Sequence, residues 1–441
     1  MRVLFLSAAG AILLSAARGA GQPAGPETPS APSPWSLHAQ VTYQLQGHGA
    51  FDAPYEGENS LRNRKEVRGS FTATLFVGRR LWEGGEVYVN GEMLAGGGVS
   101  GVLGLAGPPN GETYRVDSTE LKGSLARFYL RQTWNGDGAT EAVESAPNQL
   151  AGRQNRRRLV LTAGKFSGTD VFDANTWSHD PRTQFNNWSL WANAAWDYPA
   201  DTRGYTWGLA VEAYRDDWCV RLGAFLEPRE ANGILFDHDV AHAHGEALEV
   251  QHDHAISGRK GAVRFLGFLN EARMGSYREA LALSPEAPDV TETRVVGRTK
   301  YGFGLNLEQA LTDDAGLFLR LGWNDGKTES WAFTEVERTL AFGVSSGGAA
   351  WGRPSDRFGV GFAWNGIGGD HRAYLEAGGY GFMLGDGRLT YSAERVLDVF
   401  YSFAPVEAVR VSLEIQRFWN LAFNQDRGPG TVAGARLHLE F

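Results

Sequence analysis

Residues 37–46, LHAQVTYQLQ, alternate strictly. Leu37, Ala39, Val41, Tyr43 and Leu45 fall on one face, and His38, Gln40, Thr42, Gln44 and Gln46 on the other. A period of two is the signature of a strand with one apolar and one polar side. The pattern returns along the chain. Phe71, Ala73, Leu75 and Val77 share a face, as do Tyr205, Trp207, Leu209, Val211 and Ala213. Trp218, Val220, Leu222, Ala224 and Leu226 do so with Cys219 and Arg221 opposite. Tyr301, Phe303, Leu305 and Leu307 form another set, followed by Leu317, Leu319, Leu321 and Trp323, and by Phe358, Val360, Phe362 and Trp364. The second face is polar or Gly in most of these runs. Their length matches the roughly 9 to 11 residues of a tilted transmembrane strand. A soluble sandwich shows similar alternation, so the period alone does not choose between the two.

Connection lengths do. The pattern predicts an all-β chain of about sixteen antiparallel strands, near 37–46, 70–78, 86–95, 121–134, 159–166, 203–214, 218–226, 246–253, 261–270, 298–309, 316–325, 337–346, 356–364, 391–403, 408–418 and 431–441. The stretches 47–69, 96–120, 167–202, 227–245, 271–297 and 365–390 are then long, whereas 215–217, 310–315 and 404–407 are short. Long extracellular loops at one end and short periplasmic turns at the other define a transmembrane β-barrel. The stretch 135–158 breaks the rule: by parity it is a periplasmic turn, yet it is long. Trp82, Trp134 and Trp218 fall at short-turn ends and Trp323 and Trp364 at long-loop ends, the arrangement of two interfacial aromatic girdles.

The first residues read differently. Arg2 followed by VLFLSAAGAILLSAA is too short to span a membrane and has the form of a secretory signal peptide, 1–20, with cleavage after Ala17 or Ala20. The Pro-rich segment 21–36 reads as a flexible lead-in, and 37–441 as the barrel. Net charge is −9 with acids and bases mixed, and no basic arm exists to suit nucleic acid. The single cysteine, Cys219, excludes an intrachain disulfide. The chain closes on GARLHLEF, with Leu437, Leu439 and Phe441 on one face. A last strand ending on an aromatic resembles the signal read by the outer-membrane assembly machinery, which makes that machinery and outer-membrane lipid expected partners.

One irregular run stands apart, DVFDANTWSHDPRTQFNNWSLW at 170–191. With the strand before it, it resembles the carbohydrate-selective outer-membrane porin family. The residues that carry the resemblance are Gly164-Lys165, Asp170-Val171-Phe172-Asp173-Ala174-Asn175, and Asp180-Pro181-Arg182-Thr183-Gln184-Phe185-Asn186-Asn187. The stretches 126–134, 370–403 and 412–420 are similar to the family as well. Leu413, ahead of Glu414, and Leu421, after Asn420, depart from its usual prolines. The resemblance implies a monomeric sixteen-stranded barrel in the bacterial outer membrane. It implies passive, facilitated diffusion of monosaccharides and small oligosaccharides, with small sugars as partners and no cofactor. The alternatives are a general size-limited porin, an adhesin or an outer-membrane hydrolase.

A sugar offers hydroxyls, which need paired donors and acceptors, and flat C–H faces, which pack on aromatic plates. Asp170, Asp173, Asn175, Asp180, Arg182, Gln184 and Asn186 are candidate hydrogen-bonders at a pore constriction, and Trp177 is a candidate plate. Each has a structural alternative as a turn cap or packing anchor. Strand parity puts Arg127, Tyr129 and Arg131 in the lumen, with Ala126, Phe128 and Leu130 toward lipid, and puts Tyr88, Asn90 and Glu92 in the lumen on the preceding strand. Opposed Arg and Glu set a transverse field across a pore, or form salt bridges that stiffen its wall. Arg221, Arg264 and Arg320 share that parity and extend a basic track. His238, His242 and His244 are separated from His252 and His254 by a strand, so no metal site is expected. Ser178, His179 and Asp180 are adjacent, but loop neighbours seldom point at one another, so no enzyme is expected.

Overall fold

The computed structural model describes residues 33–112 and 118–441; the predicted signal peptide, 1–20, and residues 21–32 of the predicted lead-in lie outside these. The chain first enters the sheet at β1 (Trp35–His48), two residues before the predicted start. β2 (Glu66–Trp82), β3 (Gly85–Gly96) and β4 (Ser118–Asn135) follow. A small hairpin, β5 (Thr140–Val143) and β6 (Gly152–Asn155), precedes β7 (Arg158–Phe166), β8 (Thr206–Arg215), β9 (Trp218–Leu226) and β10 (His244–Ile256). The rest are β11 (Arg259–Ala272), β12 (Arg298–Ala310), β13 (Ala315–Asn324), β14 (Arg338–Gly347), β15 (Arg357–Gly366), β16 (Glu394–Val406), β17 (Val409–Trp419) and β18 (Gly430–Glu440). All but β5 and β6 form one closed antiparallel barrel of 16 strands, in which β18 pairs back onto β1. The closure leaves no unpaired sheet edge, which is what a sheet needs in lipid. Phe441 exchanges backbone hydrogen bonds of 2.8 and 2.9 Å with Ala39 at this seam.

The expected alternation holds through the wall. Leu37, Leu75, Leu209, Leu222, Phe303, Leu321, Phe342, Leu413 and Ile415 are exposed on the outside and form the lipid-facing belt. Trp35, Trp82, Trp134, Trp218 and Trp351 lie exposed toward the short-turn end, and Trp207, Tyr301 and Trp364 toward the other. Gln40, Thr42, Gln44 and Gln46 are buried on the inner face of β1. Two positions differ from their predicted side. Ala126 is fully buried rather than lipid-facing, because the β3–β4 register slips between Asn90 and Gly91, so the outward set runs from Leu125 to Phe128. Such a bulge re-aims the next side chain, here Arg127. Tyr205 lies just before β8 and is buried inside, while Trp207 and Leu209 keep the lipid face.

The turns at 83–84, 216–217, 257–258 and 407–408 are two residues long. At 257–258 both central residues have positive φ, Ser257 51° and Gly258 76°, the tight hairpin turn that matches strand twist. The loop 325–337, between β13 and β14, is longer than a tight turn and packs inward: Trp331 and Phe333 are buried. The anomalous stretch 136–157 carries the β5–β6 hairpin, which alternation did not predict. Two short helices, α1 (Tyr277–Leu283) and α2 (Gly369–Glu376), pack in the long-loop layer. Tyr277 of the first stacks on His371 of the second with ring centroids 4.2 Å apart.

Candidate functional site

The loop 167–205 does not project outward; it folds into the barrel and lies against the inner wall. The wall is shaped to receive it. Lumen-facing Phe225, Phe318 and Phe400 supply apolar seats, with Phe172 beside Phe225 at 6.1 Å and Phe185 beside Phe318 and Phe400 at 5.4 and 4.9 Å. Lumen-facing glycines supply clearance. A Cβ at Gly316 would sit 2.1 Å from the Trp177 ring, and one at Gly322 would sit 2.1 Å from Asn193.

Polar anchors then fix the loop. Arg320 of β13 is fully buried, pairs with both Asp173 carboxylate oxygens at 3.1 Å, and donates to the carbonyls of Leu190 and Ser178 at 2.7 Å each. Asp173 also accepts from Asn306 at 2.6 Å and from the Asn193 amide at 2.8 Å, while its own amide donates to Glu249 of β10 at 2.8 Å. Asp173 adopts a positive φ of 57°, which Asn and Asp tolerate better than most residues. Asn175 donates to Asn306 at 2.8 Å and caps the Trp177 and Ser178 amides. Gln184 accepts from the His179 and Asp180 amides. The Asn186 amide donates to Glu414 of β17 at 3.1 Å, and its Oδ1 accepts from Gly111 at 3.2 Å. The structure thus places Asp173, Asn175, Trp177, Gln184 and Asn186 in the loop's attachment. Arg221 and Arg264 also differ from an open basic track: Arg221 pairs with Glu249 at 2.8 Å and Arg264 with Glu308 at 3.4 Å.

The seated loop leaves a cavity of about 470 Å³ on the side of β3 and β4. It brings together the other candidates, Glu92, Arg127, Tyr129, Arg131, Asp170, Asp180 and Arg182. Arg127 grips Asp170 in a two-pronged ion pair, Nε–Oδ2 2.7 Å and Nη2–Oδ1 2.6 Å, and lies over the Tyr205 ring at 5.0 Å. Arg182 pairs with Glu112 at 2.8 Å and reaches toward Glu92 at 3.9 Å. The Tyr205 hydroxyl donates to Glu92 at 3.2 Å. Arg131 lies over the stacked rings of Tyr88 and Tyr129, 5.2 and 5.4 Å from their centroids. Glu112, Arg203, Trp188, Tyr198 and Phe333, which the sequence pattern does not single out, line the cavity too, as does Tyr205, which that pattern assigns to an apolar strand face. Tyr205 reads as outward only if its strand is extended by one residue too many, and Phe333 lies in a loop without a period.

Among the described residues, four arginines, Arg127, Arg131, Arg182 and Arg203, thus share the cavity with four carboxylates, Glu92, Glu112, Asp170 and Asp180. Burial works to raise the Asp170 carboxyl, but the Arg127 guanidinium and the Ser167 amide outweigh it and hold it below its usual range. Asp180 is held down likewise, against burial, by Arg182 and Thr183. A depressed carboxyl keeps its charge as pH falls. The Arg127–Asp170 attraction is therefore intact above the ordinary Asp value of about 4 and is lost only as pH drops through the lower folded value. Wild type and Asp170→Asn are expected to differ in ion selectivity at every pH down to about 4 and to converge below it. Reversal potentials in a planar bilayer read this directly, and convergence near pH 6 would show that Asp170 is not held ionised.

The neighbours Ser178, His179 and Asp180 turn to different partners: the Ser178 hydroxyl to the Leu190 carbonyl at 2.7 Å, His179 Nε2 to the Thr169 carbonyl at 3.1 Å, and Asp180 to the Arg182 amide at 2.9 Å. Gly343-Val344-Ser345-Ser346-Gly347 has the spacing of a nucleophile elbow but lies within β14, not at a strand-to-helix turn. His242 pairs with Asp239 at 3.0 Å, and among the described residues no group of three or more His, Cys, Asp or Glu side chains is placed to hold a metal ion.

A closed sheet with an apolar belt outside, and with a loop drawn inside to leave a polar cavity, has the architecture of a transmembrane β-barrel channel. The chain belongs to the carbohydrate-selective porin, OprB family, whose model matches residues 58–441. In fold it is similar to Pseudomonas putida OprB in its high-pH structure, at 15% identity and a TM-score of 0.69, over 92% of this chain and 94% of that one. It is also similar to the outer membrane channel DcaP of Acinetobacter baumannii, at 10% identity and a TM-score of 0.50, over 92% and 97% of the two chains. No curated protein sequence matches it. The protein is a carbohydrate-selective porin of the outer membrane, a channel rather than an enzyme.

Proposed function

We propose that monosaccharides and small oligosaccharides diffuse passively through the cavity between the inward loop and the β3–β4 wall, and that its charged and aromatic side chains select them. The balance of four arginines against four carboxylates among the described residues carries this reading. A cavity with both signs in equal number favours neither anions nor cations, yet it offers a dense alternation of donors and acceptors to a neutral polyol. Tyr129 and Tyr205 add ring faces and edges for the apolar side of a sugar. The contacts lie in a water-filled passage, so they hold a solute weakly enough to release it. The loop anchors contribute by keeping Asp170, Asp180 and Arg182 in place. Export through 1–20, recognition of β18 and Phe441 by the assembly machinery, and a monomeric barrel belong to the same reading.

Swelling of liposomes that contain the refolded protein tests it. Glucose and a neutral disaccharide are expected to enter faster than an amino acid of glucose's size. Entry ordered by size alone would leave a general diffusion pore, and no entry of any solute would leave the lumen without a path.

A further inference from the structure

The stretch 136–157 joins β4 to β7 at the periplasmic end, where four of the turns take only two residues. Its outer part, β5–β6, is strapped to the neighbouring turn by Arg156–Asp217 and Arg157–Asp216 ion pairs, each 2.9 Å. Its inner part runs across the inside of the wall and is fastened to four strands in succession. Ser145 Oγ lies 3.0 Å from His38 Nε2 of β1, and Arg80 of β2 donates to the Ala151 carbonyl at 3.0 Å. The Leu150 amide donates to the Tyr88 hydroxyl of β3 at 3.3 Å, and Arg131 of β4 donates to the Asn148 carbonyl at 3.1 Å. An ordinary turn needs none of these bonds. They hold Pro147, Asn148 and Gln149 against the same cavity that Arg127 and Asp170 line.

Asn148 is the distinctive residue. Its φ of 59° puts it in the left-handed region that Asn visits more readily than most residues, and its side-chain Oδ1 is buried without a hydrogen-bond partner in the protein. A buried acceptor left unpaired is costly, and a hydroxyl donor relieves that cost. We infer that 144–151 builds a second, periplasmic-side sugar subsite. In it Asn148 Oδ1, with Arg131 and Tyr129 beside it, takes a hydroxyl of the second ring of a neutral oligosaccharide while the first ring occupies the Arg127–Asp170 region. This rests on the sugar path proposed above.

The test is sugar-induced block of single-channel current in planar bilayers, with glucose and maltose as probes. Asn148→Gly keeps the left-handed backbone and the carbonyl held by Arg131, and removes only the side-chain amide. It is expected to weaken maltose block about fivefold, the scale of one hydrogen bond, with glucose block changed less than about twofold. Equal loss for both sugars, or no loss for either, overturns the subsite. Arg127→Ala separates the two claims. If it weakens both sugars and Asn148→Gly neither, only the second subsite falls; if neither variant changes either sugar, the sugar path itself falls.

Discussion

Replacing Arg320 with alanine is expected to open the channel: conductance rises and sugars lose their advantage over other solutes of equal size. Arg320 is fully buried, and one guanidinium satisfies the Asp173 carboxylate and the Leu190 and Ser178 carbonyls together. Its removal leaves a buried carboxylate without its ion partner, which typically costs about 3 to 5 kcal/mol. That cost falls on the docked state of loop 167–205 rather than on the barrel, whose strands keep their own ladder. The loop is therefore expected to leave its seat while the sixteen strands persist. Arg320→Lys keeps the charge but not the planar fork that reaches three acceptors, so it is expected to fall between wild type and Arg320→Ala. Single-channel conductance and swelling rates in one preparation, with circular dichroism to confirm the barrel, measure this. Wild-type conductance in a folded Arg320→Ala would show that the aromatic seats alone hold the loop.

The strands are legible because outward residues meet lipid and inward ones do not, so a two-residue period runs along the wall and breaks only where the register shifts, as at Ala126. Their ends were less so. β2 runs Glu66–Trp82, well past the predicted 70–78, because pairing with β1 starts at Glu66 and pairing with β3 reaches Trp82, through charged residues where the alternation is lost. The loop at 170–191 stood out as polar and aromatic, and it does enter the lumen. Which of its residues face the passage could not be read from the loop itself. Asp173 and Asp170 look alike in sequence; one is claimed by Arg320, 147 positions away, and the other by Arg127. Trp177 has the chemistry of a sugar plate, but Gly316 offers the ring a place on the wall. A signal for that seating did exist. Phe318 and Phe400 stand on mostly polar inner faces, and Gly316, Gly322, Gly359 and Gly361 alternate there with bulky outward residues, marking where a second chain segment packs. Strand parity sends Tyr205 outward only if β8 is carried back past Thr206, and the tethers of 144–151 join residues too far apart in sequence for periodicity to register.

Breaking the central ion pair from either side is expected to push ion selectivity in opposite directions. In wild type the four arginines that line the cavity match four carboxylates among the described residues. Arg127→Ala leaves one carboxylate in excess and should make the channel prefer cations; Asp170→Asn leaves one guanidinium in excess and should make it prefer anions. Both should lose sugar affinity, each by about tenfold, since a hydrogen bond to a charged group contributes roughly 1.5 kcal/mol or more. The pair shares two bonds, so the double variant should cost less than the sum of the singles, and the shortfall measures the coupling. It should also return the reversal potential to near its wild-type value, because charge balance is restored. Salt gives a further check. At about 0.1 M the screening length is about 10 Å, comparable with the passage, whereas at about 1 M it is about 3 Å, so the opposed shifts should be clear in the first condition and faint in the second. A pair that only stiffened the wall would change stability without giving the two single variants opposite signs. Reversal potentials of the same sign in both would therefore remove Arg127 and Asp170 from the sugar path and leave them as a brace between β4 and the loop.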